Sequence, residues 1–156
     1  MTKLLQINNT VYEYPQQGTG QGYGEDATAW AEGVTESLAN FLGPNDILLT
    51  SANLANNVSV SAVIPGLSFN TGAVQHINTE FLIVRIYDLG NTKVVESGKV
   101  YGNFNGSDFR VSIESVGDDT GINIDVNPSG QFIYTSSELA DHQSSVIFFK
   151  AQTIDS

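Results

Sequence analysis

The sequence predicts a mainly β protein: an antiparallel β-sandwich of Greek-key, immunoglobulin-like type, preceded by a β-hairpin, a glycine-rich arm and one amphipathic helix. Three observations carry that prediction. From Asp46 onward, apolar and polar residues alternate with period two in short runs. Turn pairs rich in Asn, Gly and Pro separate those runs at close intervals, the spacing of a sandwich. Only the segment Glu25–Leu42 repeats its apolar residues with helical spacing. The chain therefore divides into an N-terminal hairpin, arm and helix, 1–45, and a sandwich domain, 46–156.

Lys3–Ile7 and Val11–Tyr14 flank Asn8-Asn9, and Asn tolerates the positive φ of a two-residue turn, so a hairpin is expected there. Pro15–Gly24 holds four glycines and too little apolar surface to order itself by burial, which predicts a loop or extended arm. In Glu25–Leu42, residues Ala27, Trp30, Ala31, Val34, Leu38, Phe41 and Leu42 fall on one stripe. Glu25 and Asp26 suit the positive end of the helix dipole, and Gly43-Pro44 ends the helix. Gly33 sits within it at a cost of about 1 kcal/mol relative to Ala.

Beyond Pro44, Ile47–Thr50, a run around Leu54–Val63 and Leu67–Phe69 read as strands broken at Asn56-Asn57 and at the turn pair Pro65-Gly66. Gln75–Tyr87 is partly apolar on both faces, as a central strand must be. Val94–Phe104 and Phe109–Val116 bracket Asn105-Gly106, the strongest hairpin signal, with Phe109, Val111 and Ile113 expected inward. Ile122, Ile124 and Val126, then the turn Asn127-Pro128-Ser129-Gly130, then Phe132 and Tyr134 form the next hairpin, and Val146–Thr153 is the closing strand.

Composition narrows function. The 156 residues include no cysteine, which removes disulfide frameworks, thiolate nucleophiles and the usual structural zinc sites. Six Lys and Arg against seventeen Asp and Glu give a formal charge of −11, so phosphate-neutralising contacts to nucleic acid and binding to anionic membranes are not expected. No apolar stretch is long enough to span a bilayer, and the opening residues form no h-region, so a chain made without a cleaved leader is expected.

Candidate chemistry is sparse. Only His76 and His142 could act as imidazole bases, one entering a strand and one in a polar loop, with no Gly-x-Ser-x-Gly elbow to receive either. Asp118-Asp119-Thr120-Gly121 is the densest acidic cluster but lacks the spacing of an EF-hand loop, and a solvated turn is the plainer reading. Glu114 and Asp125 would be a glycosidase pair only if they lay close in space. The glycines Gly18, Gly20 and Gly22 precede a helix, yet no buried strand leads into them and Glu25 and Asp26 would repel an anion. Trp30 and Phe41 read as core. Tyr12, Tyr14 and Tyr23 bracket the arm and can anchor a partner at low entropy cost.

The strings Ile7–Pro15 (INNTVYEYP), Gly22–Ala31 (GYGEDATAWA), Gly43–Leu48 (GPNDIL), Ala55-Asn56-Asn57, Gly66–Phe69 (GLSF) and Ser129–Ser137 (SGQFIYTSS) carry a resemblance, which continues through the Glu80–Ile86 and Phe148–Thr153 strands. Over nearly its whole length the chain resembles small virion proteins of tailed bacteriophages, described as head decoration, head-fibre or tail-fibre proteins. Members carry Pro-Gly-Trp-Gly before the helix and Asn-Gly in the hairpin, where this chain has Gln21-Gly22-Tyr23-Gly24 and Asn8-Asn9. The aromatic anchor is kept in type while its pocket differs.

The resemblance implies a capsid decoration or cement protein on the outer surface of the phage head, without catalysis, cofactor or metal. Its expected partners are the major capsid protein, copies of itself, or both, and symmetry at a three-fold position would make a homotrimer the natural oligomer. Tyr12, Tyr14, Pro15, Gly22, Tyr23 and Trp30 are the expected interface residues. A tail or neck fibre adaptor is the alternative, and a carboxylate-dependent glycan hydrolase a more distant one.

Overall fold

A computed structural model describes residues 4–7, 10–13, 27–35 and 45–156. By its internal contacts the chain divides into two units, Met1–Pro44 and Asn45–Ser156.

In the first unit, β1 (Leu4–Ile7) and β2 (Thr10–Glu13) pair antiparallel. Ile7 pairs directly with Thr10, and Asn8-Asn9, the expected turn, lie outside the described residues. The helix α1 is described over residues 27–35. Gly33 is buried there and Ala27, Trp30 and Val34 are half-buried, whereas Ala31, expected on the apolar stripe, is exposed. The buried stripe thus runs through Gly33 and leaves Ala31 to one side. Thr35 Oγ1 donates to the Ala31 carbonyl at 2.9 Å, a back-bond to the preceding turn. The arm and the remainder of the expected helix lie outside the described residues.

The second unit is a β-sandwich of two antiparallel sheets. The strands β3 (Ile47–Asn53), β5 (Gln75–Tyr87), β6 (Thr92–Phe104), β7 (Phe109–Gly117) and β10 (Ser144–Asp155) form the larger sheet in the order β3-β10-β5-β6-β7. The smaller holds β4 (Val58–Ser68), β9 (Gln131–Ser136) and β8 (Ile122–Val126) in the order β4-β9-β8. The meander β5-β6-β7 with β10 returned beside β5 is Greek-key order, its return path carrying the β8–β9 hairpin of the opposite sheet. β5 is central, as its two-sided apolar character predicts.

Alternation explains the core. Ile77, Phe81 and Ile83 of β5, Val100 and Phe104 of β6, and Ile147 and Phe149 of β10 point inward and meet Ile64, Leu67, Ile122, Phe132 and Tyr134 of the smaller sheet. At one end, Phe69 stacks on Phe132 with ring centroids 5.4 Å apart, and Phe109 lies 5.1 Å from Phe69 and 4.4 Å from Phe104. Gly102 makes room for this cluster, since a Cβ there would lie 2.5 Å from Phe69 Cζ. The buried Tyr134 satisfies its hydroxyl by accepting the Ala55 N–H at 2.8 Å.

Two local expectations, at Pro65-Gly66 and at Ile113, need correction. Pro65-Gly66 does not end a strand: β4 runs through it, with its pairing to β9 shifting register between Val63 and Ser68 and Gly66 at φ +82°. β4 is an edge, so the N–H that Pro65 lacks costs no ladder bond. The Asn105-Gly106 hairpin forms between the expected strand ends, with Phe104 paired to Phe109 across the four residues Asn105–Asp108. Asn105 Oδ1 takes the N–H of Ser107 and of Asp108, which favours that loop. Ile113 shares the inward parity of Phe109 and Val111 but is 42% exposed, because three strands do not cover the full width of five.

Candidate interaction surface

The register of the larger sheet fixes what its outer face presents. Lys150 of β10 pairs with Glu80 of β5, Glu80 with Lys99 of β6, and Lys99 with Glu114 of β7, a row of alternating sign across four strands. Lys150 Nζ lies 2.9 Å and Lys99 Nζ 3.9 Å from the Glu80 carboxylate. The hydrogen bond and charge of Lys150, with a smaller contribution from Lys99, hold that carboxyl below its ordinary pKa despite slight desolvation. Beside this row, Leu82 and Phe148 form a half-exposed apolar pair, and with the 75% exposed Leu49 they line a shallow groove of about 390 Å³. On the other side of the charge row lie Gln152, Asn78 and Tyr101, also in register.

Lys93 and Arg110 share this outward parity, so every exposed Lys or Arg among the described residues stands on this one face. Four cations there meet only two carboxylates, Glu80 and Glu114. The ten other acidic residues of 45–156 lie elsewhere, most of them in loops such as Asp88, Asp118, Asp119, Glu138 and Asp141. A chain that is strongly acidic overall thus carries one face with a local excess of positive charge, interleaved with apolar side chains. Such a face favours an acidic surface at close approach and offers apolar area on contact.

The fifth cation among the described residues, Arg85, is wholly buried. Its Nε donates to Ser145 Oγ at 2.8 Å, Nη1 to the Thr120 carbonyl at 2.7 Å, and Nη2 to Asn56 Oδ1 at 2.7 Å and the Ser137 carbonyl at 3.0 Å, with Ser137 Oγ 3.4 Å from Nη1. Among the described residues no carboxylate bonds it; its partners are neutral oxygens from three separate loops and β10. Burial pulls its pKa below the ordinary value. Ser145 Oγ, which accepts from Arg85, also lies 2.8 Å from His142 Nε2 and ties that ring to the network. Desolvation, reinforced by the nearby Arg85 charge, lowers the His142 pKa. This is a structural network closing one end of the sandwich.

The structure places the other candidates as follows. His76 is half-buried on the outer face, its Nδ1 2.9 Å from Asn103 Oδ1. Asp118 Oδ2 accepts the Val95 N–H and Asp119 Oδ1 the Gly121 N–H, so both carboxylates hold the backbone of the β7–β8 turn. Among the described residues no group of three or more His, Asp or Glu is arranged for a metal ion. Glu114 and Asp125 project from the outer faces of opposite sheets and cannot flank one substrate. Of the expected interface residues, Tyr12 lies in β2 opposite Leu5 and Trp30 is half-buried on α1. Tyr14, Pro15, Gly22 and Tyr23 lie outside the described residues.

Sequence reasoning missed Arg85 and the cationic face. A signal existed for both. Arg85 shares the odd parity of Ile77, Phe81 and Ile83, and Lys93, Lys99, Arg110 and Lys150 all take the outward parity of their strands.

No protein-family model and no curated protein matches this chain. Among solved structures, the chain is similar to the tailspike protein of Acinetobacter phage vB_ApiP_P1, with a TM-score of 0.42 and 13% identity over 70% of this chain. The match spans 20% of the length of that protein.

Proposed function

We propose that this chain is a structural protein of a bacteriophage virion, a capsid decoration or cement protein that works by surface contact and without turnover. The N-terminal region, 1–45, attaches it to the shell, with Tyr12, Tyr14 and Tyr23 as anchors, and the sandwich presents its larger sheet to an acidic neighbouring surface. The observation that carries the binding reading is the gathering of every exposed cation among the described residues on one sheet face of a chain with formal charge −11. The sequence resemblance supplies the virion setting. Symmetric placement of many copies lets modest contacts sum by avidity.

Quantitative mass spectrometry of purified particles tests the placement. A copy number that follows the shell lattice supports decoration, one that follows the few-fold symmetry of the tail supports the fibre adaptor, and absence from the particle overturns both. In a reconstitution assay, deletion of residues before Glu25 abolishes attachment while leaving a folded remainder. Lys99→Glu with Lys150→Glu weakens attachment and flattens its salt dependence. Retained attachment in the deletion variant overturns the anchoring role.

A further inference from the structure

The sandwich has four sheet edges, and three carry features that resist pairing with another strand. β3 pairs irregularly with β10 between Phe149 and Ala151. β4 contains Pro65 and two register shifts. β8 is five residues long and runs into Asn127-Pro128. β7 has none of these. Its nine residues pair with β6 in unbroken register, it holds no Pro and no Lys, and on its outer side no described strand pairs with it. It also leaves Ile113 at 42% and Val116 at 73% exposed, one on each face.

We propose that β7 is the interface for a second copy of this chain, joined edge to edge in antiparallel fashion about a two-fold axis at Ser112. The strand is self-complementary in that register. Arg110 stands opposite the partner's Glu114, Val111 opposite the partner's Ile113, and Ser112 opposite itself. All side chains keep their faces, because antiparallel neighbours directly across share a face. The charge row of the outer face then continues without a break in alternation: Lys150, Glu80, Lys99, Glu114 and the partner's Arg110. Full nine-residue overlap would instead centre on Ile113 and set Arg110 against the partner's Val116, losing the ion pairs. The two-fold repeats each favourable pair, as an isologous contact does, and extends the cationic face into one ten-stranded sheet. This pairing does not depend on a virion role.

Sedimentation equilibrium on the full chain tests it. The wild type sediments as a species of twice 16.7 kDa at high concentration. Arg110→Glu and Glu114→Arg, each alone, set like charges against each other twice and weaken self-association by roughly tenfold to a hundredfold. An equimolar mixture of the two variants restores it, because at both contacts a carboxylate of one variant then faces a guanidinium of the other. Far-ultraviolet circular dichroism confirms that each variant is folded. A wild type that stays monomeric, single variants that associate like the wild type, or a mixture that does not pair would each overturn the proposal.

Discussion

At one end of the sandwich the interior is closed by four phenylalanine rings, Phe69, Phe104, Phe109 and Phe132; at the other it is closed by the guanidinium of Arg85 and the oxygens around it. The aromatic end gains its stability from area removed from water and from ring contacts, which tolerate small changes of shape. The guanidinium end depends on direction. Its donors must each meet an oxygen, and each oxygen left unmatched would be buried without a partner. Stability at the two ends should therefore respond to different perturbations.

The largest effect is expected at the aromatic end. Phe132→Ala removes a fully buried ring and leaves a cavity, lowering unfolding free energy by about 3–5 kcal/mol, read from the midpoint of urea denaturation. At the other end, Arg85→Met keeps volume but takes the donor from the Thr120 and Ser137 carbonyls, while Asn56 Oδ1 keeps the Leu139 N–H, costing about 2–4 kcal/mol by the same measurement. Arg85→Lys should recover little of that loss, because one ammonium cannot reproduce the planar fork that spans these loops. If the lysine variant matched the wild type, directional closure would be wrong.

The smallest effect separates the ends by pH. The His142 pKa is lowered on folding, so above the ordinary value of 6.5 the imidazole is neutral in both states and makes no difference. As pH falls below 6.5, the unfolded chain takes up a proton that the folded chain resists, and stability declines until the folded group also titrates. Thermal melts across this range should show a downward slope that His142→Gln reduces. Phe132 variants should keep the slope, since the aromatic end holds none of this network.

The aromatic end was legible in the sequence and the guanidinium end was not, for a physical reason. Phe109 and Phe132 fall in period-two runs beside turn signals, so alternation alone directs them inward. Arg85 has the same parity as its apolar neighbours, but a charge reads as solvent-facing unless its partners are known. Those partners come from Asn56, Thr120, Ser137 and Ser145, which only the tertiary fold assembles. The cationic face was hidden in the same way, because it depends on the relative register of β10, β5, β6 and β7. Strand existence and the central place of β5 needed only local pattern. Pro65-Gly66 misled because a proline is read as a stop, while an edge strand accommodates it at an irregular pairing.

The place of β10 sets a rule for how this domain is made. Its two neighbours, β3 and β5, are complete long before residue 144 leaves the ribosome, and neither is hydrogen-bonded to the other in the finished sheet. Until β10 arrives, both strands offer raw edges flanking a gap, and the contacts that fill it span most of the domain in sequence. Joining β3 to the larger sheet thus waits for β10, and a nascent chain halted before Ser144 exposes two sticky borders that invite a neighbouring polypeptide to take the missing place.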